Sequence, residues 1–242
     1  MTAPDAATAD ERFERVWGVA DRIPGWLTRA QGRLLYDEAL ALPPGATILE
    51  IGSHQGRSTV VLGKVADAAE GQVIAIDPFV EGRLFGGAPT KTKFLDHLQE
   101  AEVGHVVRHV EDYSTKARVR WDEPFDYLYI DGKHDFWTFT DDLRWSVFLP
   151  SGAPVLVHDA FSSIGVTLGI LARVLFSRHL TYVSREGSMA LFRTTPPGLA
   201  DRLRIVREMP WWIRNVGIKV LLRLRLRPLA RLVGHDSPYD PY

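Results

Sequence analysis

From residue 45 onward, short apolar runs alternate with amphipathic segments. TILEI (47–51), QVIAID (72–77), HVVRHV (105–110), FDYLYID (125–131) and PVLVHD (154–159) are short apolar runs, and they predict strands. Between them, apolar positions recur near helical period over roughly 56–69, 90–102, 136–148 and 163–177. Alternating strands and helices call for a parallel sheet with helices on both faces. LTYVSRE (180–186) and SMALFRT (188–194), separated by Gly187, predict a closing hairpin and with it one antiparallel edge strand. The expected fold class is α/β: a Rossmann-like, doubly wound, mostly parallel seven-stranded sheet with a C-terminal antiparallel hairpin.

Two helical segments precede the sheet, at 10–21 and 28–42. Thr28 is placed to cap the second, Leu34, Leu35, Ala39 and Leu42 mark its apolar face, and Pro43-Pro44-Gly45 stops it. Residues 1 to 9 are small and polar and predict disorder. This divides the chain into an N-terminal helical cap (1–44), a central domain (45–197) and a tail (198–242). The tail carries nine basic residues between Leu199 and Arg231, opposed only by Asp201 and Glu208, together with Trp211, Trp212 and many aliphatic residues. A basic amphipathic helix of this kind suits an anionic membrane surface, packing on the domain, or a homodimer interface. The LRLRLR stretch instead alternates with period two, which suits a strand, and Pro228 would end or kink either element.

Composition narrows the chemistry. The chain has 242 residues, no cysteine and a formal net charge of −1. Disulfides, thiolate catalysis and cysteine-based zinc sites are excluded, and overall charge gives no case for a nucleic-acid partner. MTAPDAATADERFERVW lacks the basic start and apolar run of a secretory signal, and no uncharged apolar stretch is long enough to span a bilayer, so the expected location is the cytoplasm, with membrane association through the tail as its variant.

The chemistry concentrates at strand ends. The first strand runs into Glu50-Ile51-Gly52-Ser53-His54-Gln55-Gly56-Arg57-Ser58. Glycines there let the backbone turn tightly, and the following helix turns its free N–H groups toward the crevice where open α/β sheets bind ligands. Taken alone, the segment could equally be a tight turn. The spacing E-x-G-x-x-x-G differs from the G-x-G-x-x-G of dinucleotide binders. Asp77 closes the second strand, where a carboxylate can accept ribose hydroxyls or cap a turn before Pro78.

The ordered set ILEIGSHQGRSTVVL, IAIDPF, FDYLYIDGKHDFWTFTDDLRW and GAPVLVHDAF resembles the class I S-adenosylmethionine-dependent methyltransferases, in the branch with metal-assisted small-molecule and sugar O-methyltransferases. The resemblance spans about residues 45–195. It implies that Glu50, Gly52, Ser53 and Gly56 line the methionine end of the cofactor, with Ser58 in the adjoining helical turn and Asp131 at the fourth strand tip. Asp77 would hold the ribose, and Asp112 and Tyr113 would lie near the adenine, although a capping role suits Asp112 as well.

The candidate catalytic corner is Asp131, Lys133 and His134, of which the resemblance supports Asp131 and His134. His134 would take the proton of an acceptor hydroxyl, the alternative being a helix cap near Phe136. Asp131 and Asp159 would hold Mg2+ or another divalent cation. Two departures bear on the cation: Ala160 stands where the family has a third oxygen ligand, and Lys133 where it has an acid. A metal-free mechanism, in which Lys133 replaces the cation's charge, therefore stands beside the metal-assisted one, and His158 is a further candidate ligand. The expected acceptor is a small polar molecule, a sugar or a glycolipid. N-methylation and a non-catalytic cofactor-binding protein are the competing readings. The N-terminal helices, the loop EGRLFGGAPTKTK (81–93) and FSSIGVT (161–167) would cover the acceptor, with Trp17, Trp26, Phe85, Trp137 and Phe161 as aromatic candidates for stacking on it.

Overall fold

The computed structural model describes residues 8–80 and 87–235, so residues 81–86 of the expected lid, with Gly82, Phe85 and Gly86, lie outside the described residues. The seven strands are β1 (Thr47–Ile51), β2 (Gln72–Ile76), β3 (Val107–Val110), β4 (Tyr127–Ile130), β5 (Pro154–Val157), β6 (Thr181–Glu186) and β7 (Met189–Arg193). Their order in the sheet is β3-β2-β1-β4-β5-β7-β6, a mixed Rossmann-like arrangement as expected. The chain divides into two compact units, Met1–Tyr129 and Ile130–Tyr242.

In the first unit β1, β2 and β3 run parallel, Ile48 paired with Val73 and Ala75 with His109. Helices α1 (Ala9–Ala20) and α2 (Arg29–Leu40) both pack on α3 (Arg57–Ala68), which follows β1. Thr8 and Thr28 form capping boxes with Glu11 and Gln31, so each helix begins where its hydroxyl satisfies a free backbone N–H. Trp17 anchors the cap: its ring lies against Gly32, where any side chain would collide with it, and 5.0 Å from the Arg57 guanidinium. Trp17 is therefore buried core. α4 (Gly87–Glu100) takes up residues 87–93 of the expected lid. A short α5 (Ser114–Val119), which periodicity had not predicted, follows β3; six residues are too few to show a helical period.

In the second unit, β7 pairs antiparallel with both β5 and β6. The hairpin is real, but its outer position corrects the expectation: the antiparallel strand β7 lies between β5 and β6, and β6 is the edge. β7 is buried along almost its whole length, Met189 through Phe192, as an inner strand must be. α6 (Phe136–Asp142) continues into a 3-10 turn (Leu143–Phe148), and α7 (Ile164–Arg173) packs on α6 with Gly169 against the Phe139 ring. The tail forms three helices, α8 (Leu199–Arg207), α9 (Met209–Arg223) and α10 (Arg227–Leu232). The period-two LRLRLR stretch is not a strand: it spans the end of α9, a turn with Arg225 at φ 61°, and the start of α10, where Pro228 sits in the first turn and begins the helix instead of ending one.

Candidate active site

In the first unit, the segment after β1 is a strained turn. Gly52 and Gly56 have φ of 88° and 92°, and His54, without a glycine's freedom, has φ 47°. Positive φ at a non-glycine residue costs free energy that surrounding bonds must offset. The offset comes from Asp77: its Oδ2 accepts from the backbone N–H groups of Ser53 and His54, at 2.9 and 3.0 Å, and its Oδ1 accepts from Phe79 N, itself at φ 43°. The predicted ribose ligand thus also holds the glycine turn, and its spare lone pairs remain for hydroxyl donors.

Glu50 is fully buried at the end of β1 and accepts from the hydroxyls of Ser58, at 2.5 Å, and Thr59. It orders the first turn of α3 and takes the Ser58 hydroxyl with it. Ser53 Oγ is buried and has no hydrogen-bond partner among the described residues. Phe94 closes against Gly56, where a Cβ would lie 3.2 Å from its ring, and His97 Nδ1 meets the Gln55 carbonyl at 2.8 Å, so α4 braces the turn. Asp112 bonds Tyr113 N and the Arg120 guanidinium, and Tyr113 is exposed. Trp26 is exposed with its ring 5.2 Å from that of His54.

The second unit gathers two carboxylates and two imidazoles after β4 and β5. His134 Nε2 lies 3.2 Å from Asp159 Oδ2 and 3.6 Å from Asp131 Oδ1. His158 Nδ1 lies 3.3 Å from each of the same two oxygens. Asp159 and His158 are each 5% exposed at the side chain, whereas Asp131 and His134 are half-buried and open to solvent. Burial opposes ionisation of Asp131, but the His158 charge and the His134 and His158 contacts outweigh it, leaving its carboxyl well below the ordinary value. Asp159 is lowered in the same way, against burial, chiefly by His158. Burial also disfavours charging the imidazoles, yet Asp131 and Asp159 together push both histidines up, His158 far up. The two carboxylates thus favour the charged form of both imidazoles.

Local structure fixes this geometry. Asp159 has φ 56° and Phe161 φ 56°, and Ser162 Oγ donates to both the backbone oxygen and Oδ1 of Asp159. The backbone at His134 is pinned from α7: Ser163 Oγ donates to the His134 carbonyl at 3.2 Å, and a Cβ on Gly165 would lie 2.3 Å from that same oxygen. The cap of α6 is Asp135, which accepts from Trp137 N and Thr138 N, so His134 is free of the capping role. Lys133 is exposed and pairs with Asp135 at 3.0 Å. Among the other expected contacts, Phe161 is buried and Trp137 exposed. Sequence reasoning thus named Asp131, His134 and Asp159, and gave His158 only as a candidate ligand. It missed Gly165 and Ser163, whose one signal was the small residues of FSSIGVT.

The strand order with an inner antiparallel β7 is that of the Rossmann-like methyltransferase fold. Residues 49–160 match the family described as a methyltransferase domain. Solved structures share the fold. An O-methyltransferase from Bacillus cereus in complex with S-adenosylhomocysteine is 18% identical, with TM-score 0.56, covering 78% of this chain and 93% of that one. The O-methyltransferase TomG from Streptomyces achromogenes, involved in tomaymycin synthesis and bound to S-adenosylmethionine, is 22% identical, with TM-score 0.53, covering 78% and 92%. CalS11, a TDP-rhamnose 3′-O-methyltransferase of calicheamicin biosynthesis, is 18% identical, with TM-score 0.50, covering 79% and 96%.

Two predictions follow from the cluster and its support. Gly165→Ala should displace the His134 carbonyl and lower turnover by about 100-fold, the scale of a 1 Å misplacement, with cofactor affinity within a few-fold of wild type; steady-state kinetics and calorimetry separate the two. The depressed aspartates stabilise the fold above their ordinary value of 3.8 and lose this as pH falls through their folded values. The raised histidines stabilise it below their ordinary 6.5 and lose this as pH rises through their folded values. The destabilisation caused by His158→Gln, read from urea midpoints, should therefore be largest between these two values and shrink on either side.

Proposed function

We propose that the protein is an S-adenosylmethionine-dependent O-methyltransferase acting on a hydroxyl of a sugar, glycolipid or other small polar acceptor, with His134 as the base. The observation that carries this reading is His134: its side chain is partly exposed, and its buried Nε2 is held against Asp131 and Asp159 by a pinned backbone. The first unit fits the cofactor: positive-φ glycines let the backbone approach a ligand, Asp77 keeps lone pairs for ribose hydroxyls, and the buried Ser53 Oγ lacks a partner among the described residues. The O-methyltransferases bound to S-adenosylmethionine and S-adenosylhomocysteine support it, as does the sugar methyltransferase among the neighbours. When bound, S-adenosylmethionine supplies an electrophilic methyl group on a sulfonium. Asp77 holds the nucleoside, and Asp112 and Tyr113 border its base. His134 Nε2 takes the hydroxyl proton as the oxygen attacks, and Asp131 and Asp159 stabilise the imidazolium that results. Lys133, tied to Asp135, supports the loop and stays outside the proton transfer.

Because the aspartates raise its pKa, His134 is a strong base but is protonated at the start below that raised value. The rate should therefore climb with pH through it. Asp77→Ala should cut S-adenosylhomocysteine binding in calorimetry by at least tenfold. His134→Ala should reduce turnover by about 100-fold or more while leaving that binding intact. Full activity of His134→Ala would refute the base assignment.

One observation favours a second reading. Ligand atoms of Asp131, His134 and Asp159 lie within 4.8 Å of one another, a set able to hold a divalent cation. Bound there, a cation supplies Lewis acidity that lowers the acceptor hydroxyl pKa. Ala160 adds no ligand, and His158 Nδ1 already occupies the space between the two carboxylates. With His134 Nε2 committed to the ion, the imidazole no longer takes the proton. EDTA separates the two: unchanged turnover favours the base, and loss restored by Mg2+ or Mn2+ favours the cation.

A further inference from the structure

Helix α9 has two faces of opposite character. Its inner face holds the second unit together: Ile218 is buried, and the buried Asn215 Nδ2 donates to the Phe161 carbonyl at 3.2 Å. Ile213, Gly217, Val220 and Leu224 fall within about 60° of one another on the opposite side at helical period. All four are exposed, Ile213 at 64% and Leu224 at 62%. An outward stripe of aliphatic residues reverses the usual pattern of a surface helix. α10 extends it with exposed Leu229, Leu232 and Val233, and α10 is fastened to α9 by the Arg214 guanidinium, which donates to the carbonyls of Val233 and Gly234 at 2.8 Å.

Charge identifies the partner. From Met209 to Arg231 the sequence carries Arg214, Lys219, Arg223, Arg225, Arg227 and Arg231 and no acid. Arg223, Arg225, Arg227 and Arg231 are exposed beside the stripe. A second copy of this chain would bring the same positive charge against it, whereas an anionic bilayer offers apolar depth and negative headgroups together. Among the described residues no helix is long and apolar enough to cross a membrane. We infer that α9 and α10 dock the protein in the plane of an anionic lipid surface, the stripe inserted at the headgroup boundary and the arginines on lipid phosphates.

The test is sedimentation of the full chain with vesicles of phosphatidylglycerol and phosphatidylcholine against vesicles of phosphatidylcholine alone. Binding should be at least about tenfold stronger with the anionic lipid, fall with added salt, and fall by a similar factor in Ile213→Asp/Val220→Asp and in Arg223→Glu/Arg227→Glu. All four positions are exposed, so folding should persist, and unchanged S-adenosylhomocysteine affinity confirms it. Equal pelleting with both vesicle types, or variants that pellet like wild type, overturns the inference. So does a concentration-dependent dimer in analytical ultracentrifugation that Ile213→Asp/Val220→Asp dissociates, because the stripe is then a subunit interface. None of these results touches the methyl-transfer reading, which rests on the other residues.

Discussion

Asp159 is almost fully buried, and a carboxylate in that position must be either neutral or matched by a positive charge. The protein matches it. His158 lies 3.3 Å from both Asp159 and Asp131, and His134 approaches the same pair from the more open side. Everything proposed for the chemistry descends from this balance. The carboxylates favour the charged form of both imidazoles.

The glycine turn is governed by a parallel economy. Its backbone is strained at His54 as well as at the glycines, and Asp77 satisfies two of its N–H groups. One carboxylate thereby shapes the turn and remains able to receive hydroxyl donors. Glu50 plays the complementary part from beneath, fixing the start of α3 through Ser58 and Thr59. The shape of the turn is thus set before any ligand arrives.

All seven strands were legible, because apolar runs of four to seven residues between turn signals have few other readings. Asp77, Asp131 and Asp159 were legible as strand-tip acids, and Thr28 as a cap. The inner place of β7 was not, because a hairpin's pattern is the same whichever of its strands meets the sheet. Nor was the grip of α7 on His134: Gly165 matters through a backbone approach 31 positions away in sequence, and no local pattern encodes that. The LRLRLR alternation misled because its leucines sit on two helix ends and a turn, where period two has no structural meaning.

The bond from Asn215 to the Phe161 carbonyl ties the tail to a loop that begins only two residues earlier, at Asp159. Deleting the tail would therefore also loosen the carboxylate end of the cluster, so lost activity in such a shortened protein would not by itself report lost anchorage. The same tie gives any load on α9 a mechanical route to the acid–imidazole cluster: a shift of that helix is delivered to the chain beside Asp159 without passing through solvent.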